Sequence, residues 1–353
     1  MKHPPTLKDI ARAAGVSMMT VSRVLRGGGS VAPETRQLVL REASRIGYEP
    51  DPNLMRLMQL VRSKKEKRQR AVIAVIREEV PEDGLLGPSY QYVPIEPIRH
   101  RAHGYGYAVE EFFLGKDGMT PKRLRSILSA RGIEGAIVSP QSMQLPCSKL
   151  DYSGLSAVTF GYAMQKPALH MVAGNMTLGI QTAAEVLASR GYRRIGVAVT
   201  EWIVTRSQFG YSGGLFHWQQ SLPSEKRVPL LLFPGNDISL GYRVFVQWMR
   251  EHTPDAIITF DTHVPGWLKR LGFRIPEDIG FVVHDWTRQM QGFAGIDQRR
   301  SHLAAAAVDL IVTQLSQHEH GVPEVPRQIM IPPRWIEGPS VRPLSTPQCG
   351  ALN

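Results

Sequence analysis

Residues 6–25, TLKDIARAAGVSMMTVSRVL, leave little freedom in how this chain begins. Thr6 and Asp9 have the spacing of a capping box, the hydroxyl accepting from the Asp9 amide while the carboxylate reaches back to Thr6. Leu7, Ile10, Ala11 and Ala14 then recur at helical spacing. Gly15 supplies a turn, and Ser17 is a second N-cap with Thr20 in the first turn. Val21, Val24 and Leu25 form the inner face of this second helix. A third helix is expected from Pro33, a favourable first-turn residue, with Val39, Leu40, Ala43 and Ile46 inward. Three short amphipathic helices fit many small bundles. A small residue where helices cross (Ala11), a glycine at the turn and an apolar pin (Val21) favour the helix-turn-helix plan.

Charge says what such a module meets. Residues 1–70 hold 15 Lys and Arg against 6 Asp and Glu, so nine of the eleven net positive charges lie there. A basic N-terminal module facing a polyanion, followed by a near-neutral body, is the expected arrangement.

The stretch TLKDIARAAGVSMMTVSRVL, with VAPETR and GYEPDPNLMRL after it, resembles the headpiece of the LacI/GalR family of bacterial transcription regulators. The resemblance implies a homodimer whose second helix enters the major groove of a near-palindromic double-stranded DNA operator. The two residues after the cap serine are then the variable specificity positions, here Met18 and Met19. The first turn of a recognition helix points at base edges. Methionine offers no strong hydrogen bond, but its thioether packs well on thymine methyl groups. The alternative is that one methionine faces the headpiece core. Arg23, one turn on, has the chemistry for bidentate guanine recognition. Ser17, Thr20, Ser22, Arg26 and Thr35 are candidate phosphate contacts, and Thr6 is also placed at the DNA.

Pro50 and Pro52 end the third helix, and Asn53–Leu60 reads as a short hinge helix. The resemblance implies that Leu57 is the leucine pushed into the minor groove, an apolar wedge that kinks the duplex. Leu54, Leu57, Met58 and Val61 also fit a helix–helix dimer seam. Lys64–Arg70 is a solvated basic linker.

From Ala71 the pattern changes. Apolar runs at 71–76, 107–113, 135–138, 155–160, 195–199, 256–260 and 279–283 alternate with amphipathic segments such as 121–131 and 178–190. That alternation predicts parallel sheets with helices on both faces, in two lobes. The expected fold is therefore an all-α helix-turn-helix domain followed by an α/β two-lobed periplasmic-binding-protein-like domain. The expected domains are residues 1–50, a hinge and linker over 51–70, an effector-binding and dimerisation body over 71–345, and a tail over 346–353. Chain crossings between lobes are expected near 161–168, 292–297 and 322–326.

By resemblance, Asp261 and Asp285 are strand-end carboxylates facing a ligand cleft, which suits a hydroxyl-rich effector. Phe160, Phe260 and Trp286 join them, and Arg206 stands one place from the family's clamping arginine, where this chain has Ser207. Aromatic residues at a cleft fit either a stacked sugar ring or a rebuilt apolar core. A carbohydrate or its derivative is the expected effector; a cleft that binds no ligand is the third alternative.

No apolar run approaches the roughly 20 residues of a membrane span, and no secretory signal begins the chain. Two cysteines fit a reducing cytoplasm. The common nucleotide-loop, zinc-protease and nucleophile-elbow motifs are missing, Gly27–Gly29 follows a helix rather than a strand, and the histidines lack metal spacing. Neither catalysis, nor a metal, nor a cofactor is expected. The competing function class is a carbohydrate-binding or sugar-processing protein without operator function. The tail has no leucine heptads, so a dimer is expected and not a coiled-coil tetramer.

Overall fold

The computed structural model describes residues 5–25, 31–48, 71–78, 93–140, 146–235 and 237–344. Arg26, Gly27–Gly29, Leu57 with the rest of the hinge and linker, and Cys349 lie outside them. The chain divides into two compact units, residues to Ala71 with Thr313–Glu319, and the remainder.

In the first unit, α1 (Leu7–Ala14), α2 (Met18–Leu25) and α3 (Pro33–Arg45) enclose one small core. Ile10, Ala11, Ala14, Val21, Val24, Val39 and Ala43 are buried together, with Leu7, Val16, Leu25 and Ile46 packed around them. Gly15 ends α1 at φ +64°, a left-handed turn for which glycine carries no steric penalty. Leu40 is a correction: it points outward, 48% exposed. Val39, Ala43 and Ile46 follow the i, i+4, i+7 stripe, and Leu40 lies about 100° round the helix from Val39.

The second unit carries two sheets. The first contains β1 (Val72–Glu78), β2 (Ala108–Leu114), β3 (Gly135–Ser139), β4 (Ser156–Phe160), β5 (His170–Gly174) and β11 (Gln328–Ile331), in the order β11-β5-β4-β3-β1-β2. The second contains β6 (Ile195–Thr200), β7 (Leu231–Phe233), β8 (Ala256–Thr259), β9 (Gly280–Val283), β10 (Ala294–Asp297) and β12 (Arg334–Ile336), in the order β12-β10-β9-β8-β6-β7. Among the described residues every pairing is parallel except β10 with β12. The central strands β3, β4, β6, β8 and β9 are buried along their whole length. Covered on both faces, they read as continuous apolar runs instead of alternating ones.

The helices are α4 (Ile95–Gly104), α5 (Pro121–Ala130), α6 (Met176–Ser189), α7 (Glu201–Arg206), α8 (Gly210–Gln219), α9 (Ile238–His252), α10 (Val264–Arg270) and α11 (Arg300–Gln317). Helices α6 and α8 pack tightly enough that a Cβ on Gly214 would come within 2.7 Å of the Thr177 carbonyl and 2.8 Å of Ile180 Cβ.

The crossings differ from expectation. Residues 161–168 only connect β4 to β5 within the first sheet, and the chain first changes sheet at Asn175. It leaves the second sheet after β10, beyond Asp297, and returns to it across Pro332–Pro333. In each case a four- or five-residue strand displaces the crossing: β5 and β11 lie just beyond the expected ranges, and β10 lies within its own. Runs such as HMVAG and AGID are too short and too mixed to announce themselves as strands.

Candidate nucleic-acid interface and ligand cleft

The second helix of the headpiece is capped as its sequence dictates. The Ser17 hydroxyl accepts from the Thr20 amide at 3.1 Å and lies 2.9 Å from the Thr20 hydroxyl. In α1 the Thr6 amide and hydroxyl both donate to the Asp9 carboxylate, at 2.9 and 2.6 Å. The hydroxyl bond, then the amide bond, holds that carboxyl below its usual range. Val21 and Val24 turn into the core. The opposite face presents Met18 at 55% and Met19 at 64% exposure. Neither methionine faces the core. Arg23 is exposed one turn on, its Nη2 lying 3.7 Å from the Met19 sulfur. Thr6 and Ser17 are exposed, and Thr20, Ser22 and Thr35 are half-buried. The result is an outward face with an apolar patch and a guanidinium, entered by the paired hydroxyls of Ser17 and Thr20.

In the body, the six expected effector residues separate into two spaces. A wide cavity of about 900 Å³ opens at the C-terminal ends of β6, β8 and β9, where Phe260, Asp261, Asp285 and Trp286 line it. A narrow crevice of about 90 Å³ joins Phe160 to Arg206, and Phe260 and Asp285 border both. Arg206 donates to the Pro140 carbonyl at 3.2 Å and lies over the Trp202 ring, 5.6 Å from its centre. That bond runs from the second sheet's side of the crevice to the first's. Ser207, at the family's arginine position, is buried and donates to the Val204 carbonyl.

Both carboxylates are already engaged. Asp261 accepts from the His263 amide at 2.8 Å, with the His263 ring nitrogen at 2.9 Å. Asp285 forms a nearly buried ion pair with Arg300 at 2.7 Å. Trp286 donates its indole N–H to the Phe293 carbonyl at 3.0 Å. Beside Asp285, His284 is fully enclosed against Tyr211, its Nδ1 3.1 Å from the phenol oxygen. Burial pushes the imidazole down to about 4, so it is neutral at physiological pH.

Sequence reasoning missed several lining residues, namely Trp202, Arg288, Arg299, Arg300 and Arg334. Arg299 carried one legible signal, its place two residues after an acidic strand end, Asp297. Among the described residues, no group of three or more His, Cys, Asp or Glu could hold a metal. No described helix is long and apolar enough to cross a membrane.

A helix-turn-helix headpiece with an exposed reading face, followed by a two-sheet body with a ligand-sized cleft, defines an effector-responsive DNA-binding regulator. Residues 6–51 match the bacterial regulatory proteins of the lacI family, and residues 184–341 match the periplasmic binding protein-like domain. The chain belongs to the lacI family of bacterial transcription regulators and is not an enzyme. Relatives include the HTH-type transcriptional repressor PurR of Klebsiella pneumoniae, 25% identical and covering 95% of this chain and 96% of that protein. PurR of Mannheimia succiniciproducens is 23% identical over 89% and 93%. Similar folds include the lac repressor dimer bound to operator and the anti-inducer ONPF, at TM-score 0.54 and 19% identity, covering 97% of this chain and all of that one. The transcriptional regulator CelR–cellobiose complex is similar at TM-score 0.54 and 18% identity, over 95% and 99%.

Proposed function

We propose that this regulator acts in the cytoplasm as a homodimeric repressor of a near-palindromic operator. The observation that carries the reading is the outward face of α2. Met18 and Met19 meet base edges through apolar contact, and Arg23 reads a guanine. Ser17, Thr20, Ser22 and Thr35 position the headpiece on phosphates, with Thr6 beside them. Arg26 and the Leu57 wedge, outside the described residues, complete the contact.

A small molecule in the cleft of the body modulates that binding. A sugar or sugar derivative fits the aromatic residues Phe260, Trp202 and Trp286, and the cellobiose complex of CelR supports a carbohydrate in this fold. A neutral polyol held by Asp261 and Asp285 alone fits less well, because His263 and Arg300 already occupy those carboxylates.

Selection of bound sequences from random duplexes tests the operator reading, and an inverted-repeat consensus is the expected outcome. Affinity for the consensus should fall on the order of 10³-fold from 50 to 200 mM salt if at least six phosphates are neutralised. A nearly flat salt response, or no enriched sequence, removes this reading.

A further inference from the structure

Four arginines line the wide cavity, Arg288, Arg299, Arg300 and Arg334, against the aspartates Asp261, Asp285 and Asp297. The aspartates are accounted for. Asp285 pairs with Arg300 at 2.7 Å, Asp297 pairs with Arg334 at 2.8 Å, and Asp261 accepts from His263. Among the described residues, no carboxylate pairs with the Arg288 or Arg299 guanidinium, although the Arg299 backbone amide donates to Asp297 at 2.8 Å. Two guanidiniums with no ion-pair partner among the described residues leave the concave surface with an excess of positive charge, and their planar forks match a carboxylate or phosphate bidentately.

The backbone agrees. Arg299 sits at φ +51°, a left-handed conformation that glycine adopts freely and a long side chain does not. Nothing in the turn itself asks for arginine there. This turn also brings Arg300, Ser301 and His302, the first turn of the 18-residue helix α11, to the cavity wall. The positive end of the helix dipole therefore adds to the arginine charge.

We propose that the wide cavity receives an anionic ligand, a ring compound bearing a phosphate or carboxylate, with Arg288 and Arg299 holding the anion. Phe260, Trp202 and Trp286 supply the apolar wall for the ring. This rests on the reading of the cleft as the effector site, and it names the effector's chemical class.

The test is calorimetric titration of the full-length chain, at constant ionic strength, with inorganic phosphate, glucose 6-phosphate, glucuronate and glucose. Saturable binding of the anions, at least tenfold tighter for a sugar anion than for glucose, is expected. Arg288→Ala and Arg299→Gly should each weaken the anions at least tenfold. Arg299→Gly should not lower the melting temperature, which separates lost binding from lost folding. Preference between glucose 6-phosphate and glucuronate tells a phosphoryl ligand from a carboxylate one. Three results overturn the proposal: no saturable anion binding, anion binding unchanged in both variants, or glucose binding as tightly as the anions. Anion signal that survives in both variants belongs to the basic headpiece and counts against the cavity. Operator binding measured on the same samples keeps the two readings apart, because its salt dependence survives if only the anion site is wrong.

Discussion

Adjacent residues of α3 should differ sharply when truncated. Val39 is fully buried, and Val39→Ala removes two methyl groups from the headpiece core. At about 0.8 kcal/mol per buried carbon the transfer loss is about 1.6 kcal/mol. The residual cavity raises the total to roughly 2–3 kcal/mol, because three short helices enclosing so few side chains cannot collapse far into it. Leu40→Ala removes one more carbon from a side chain that is 48% exposed, and such surface changes stay within about 0.5 kcal/mol. Hydrogen exchange of the full-length chain, followed by mass spectrometry of peptides from residues 7–46, resolves the two. Val39→Ala should speed exchange of the slowest headpiece amides by roughly 30- to 150-fold, since about 1.4 kcal/mol corresponds to a factor of ten. Leu40→Ala should change it by less than about threefold, and neither should alter peptides from the body. Equal acceleration by both variants would mean that Leu40 is in the core and that the register of α3 given above is wrong.

Met18→Ala should cost roughly 0.8 kcal/mol on the operator and become nearly neutral when the matching thymine is replaced by uracil; strictly additive losses would rule out methyl readout. Met19→Ala should leave thermal stability within about 0.5 kcal/mol, given its 64% exposure, and a larger fall in the melting curve would return that side chain to the core. Arg23→Ala should weaken operator binding by about 1–3 kcal/mol and relax preference at one guanine per half-site, whereas equal weakening on random duplexes would mark a phosphate contact. For His284, the folded value of about 4 lies below the ordinary 6.5. The unfolded chain therefore binds more protons between those values, and the contribution is complete above pH 6.5 and lost as pH falls towards 4, by roughly 3 kcal/mol. Denaturant melts of wild type and His284→Gln across that range should diverge from each other, and parallel profiles would refute the buried neutral imidazole.

What could be read in advance depended on how local the controlling physics was. The headpiece helices depend on contacts three and four residues apart and on caps such as Ser17–Thr20, so they were legible. Leu40 was misassigned because apolar character alone does not give phase, and the 100° step from Val39 decides which side faces in. Strands β3, β6, β8 and β9 were plain as apolar runs, while β5 and β10 carry His170, Gly174 and Asp297 in runs too short to stand out. The cleft was legible only at Phe260, Asp261, Asp285 and Trp286, where strand ends give a rule. Arg299, Arg300 and Arg334 reach the cavity from a later turn and a distant strand, and no periodicity reports which segments converge there.

The late position of β11 and β12 in the chain bears on how this regulator is made. Strands β5 and β10 each lack one neighbour until residues 328–336 have been synthesised, whereas the headpiece core is complete once Tyr48 has emerged. At about 5–20 residues per second, tens of seconds separate the two events on the ribosome. During that interval both nascent sheets expose an open strand edge, the kind of surface that pairs with other chains, and chaperone cover would be most valuable then. A ribosome that stalls within the body releases a finished DNA-reading headpiece without the part that governs it.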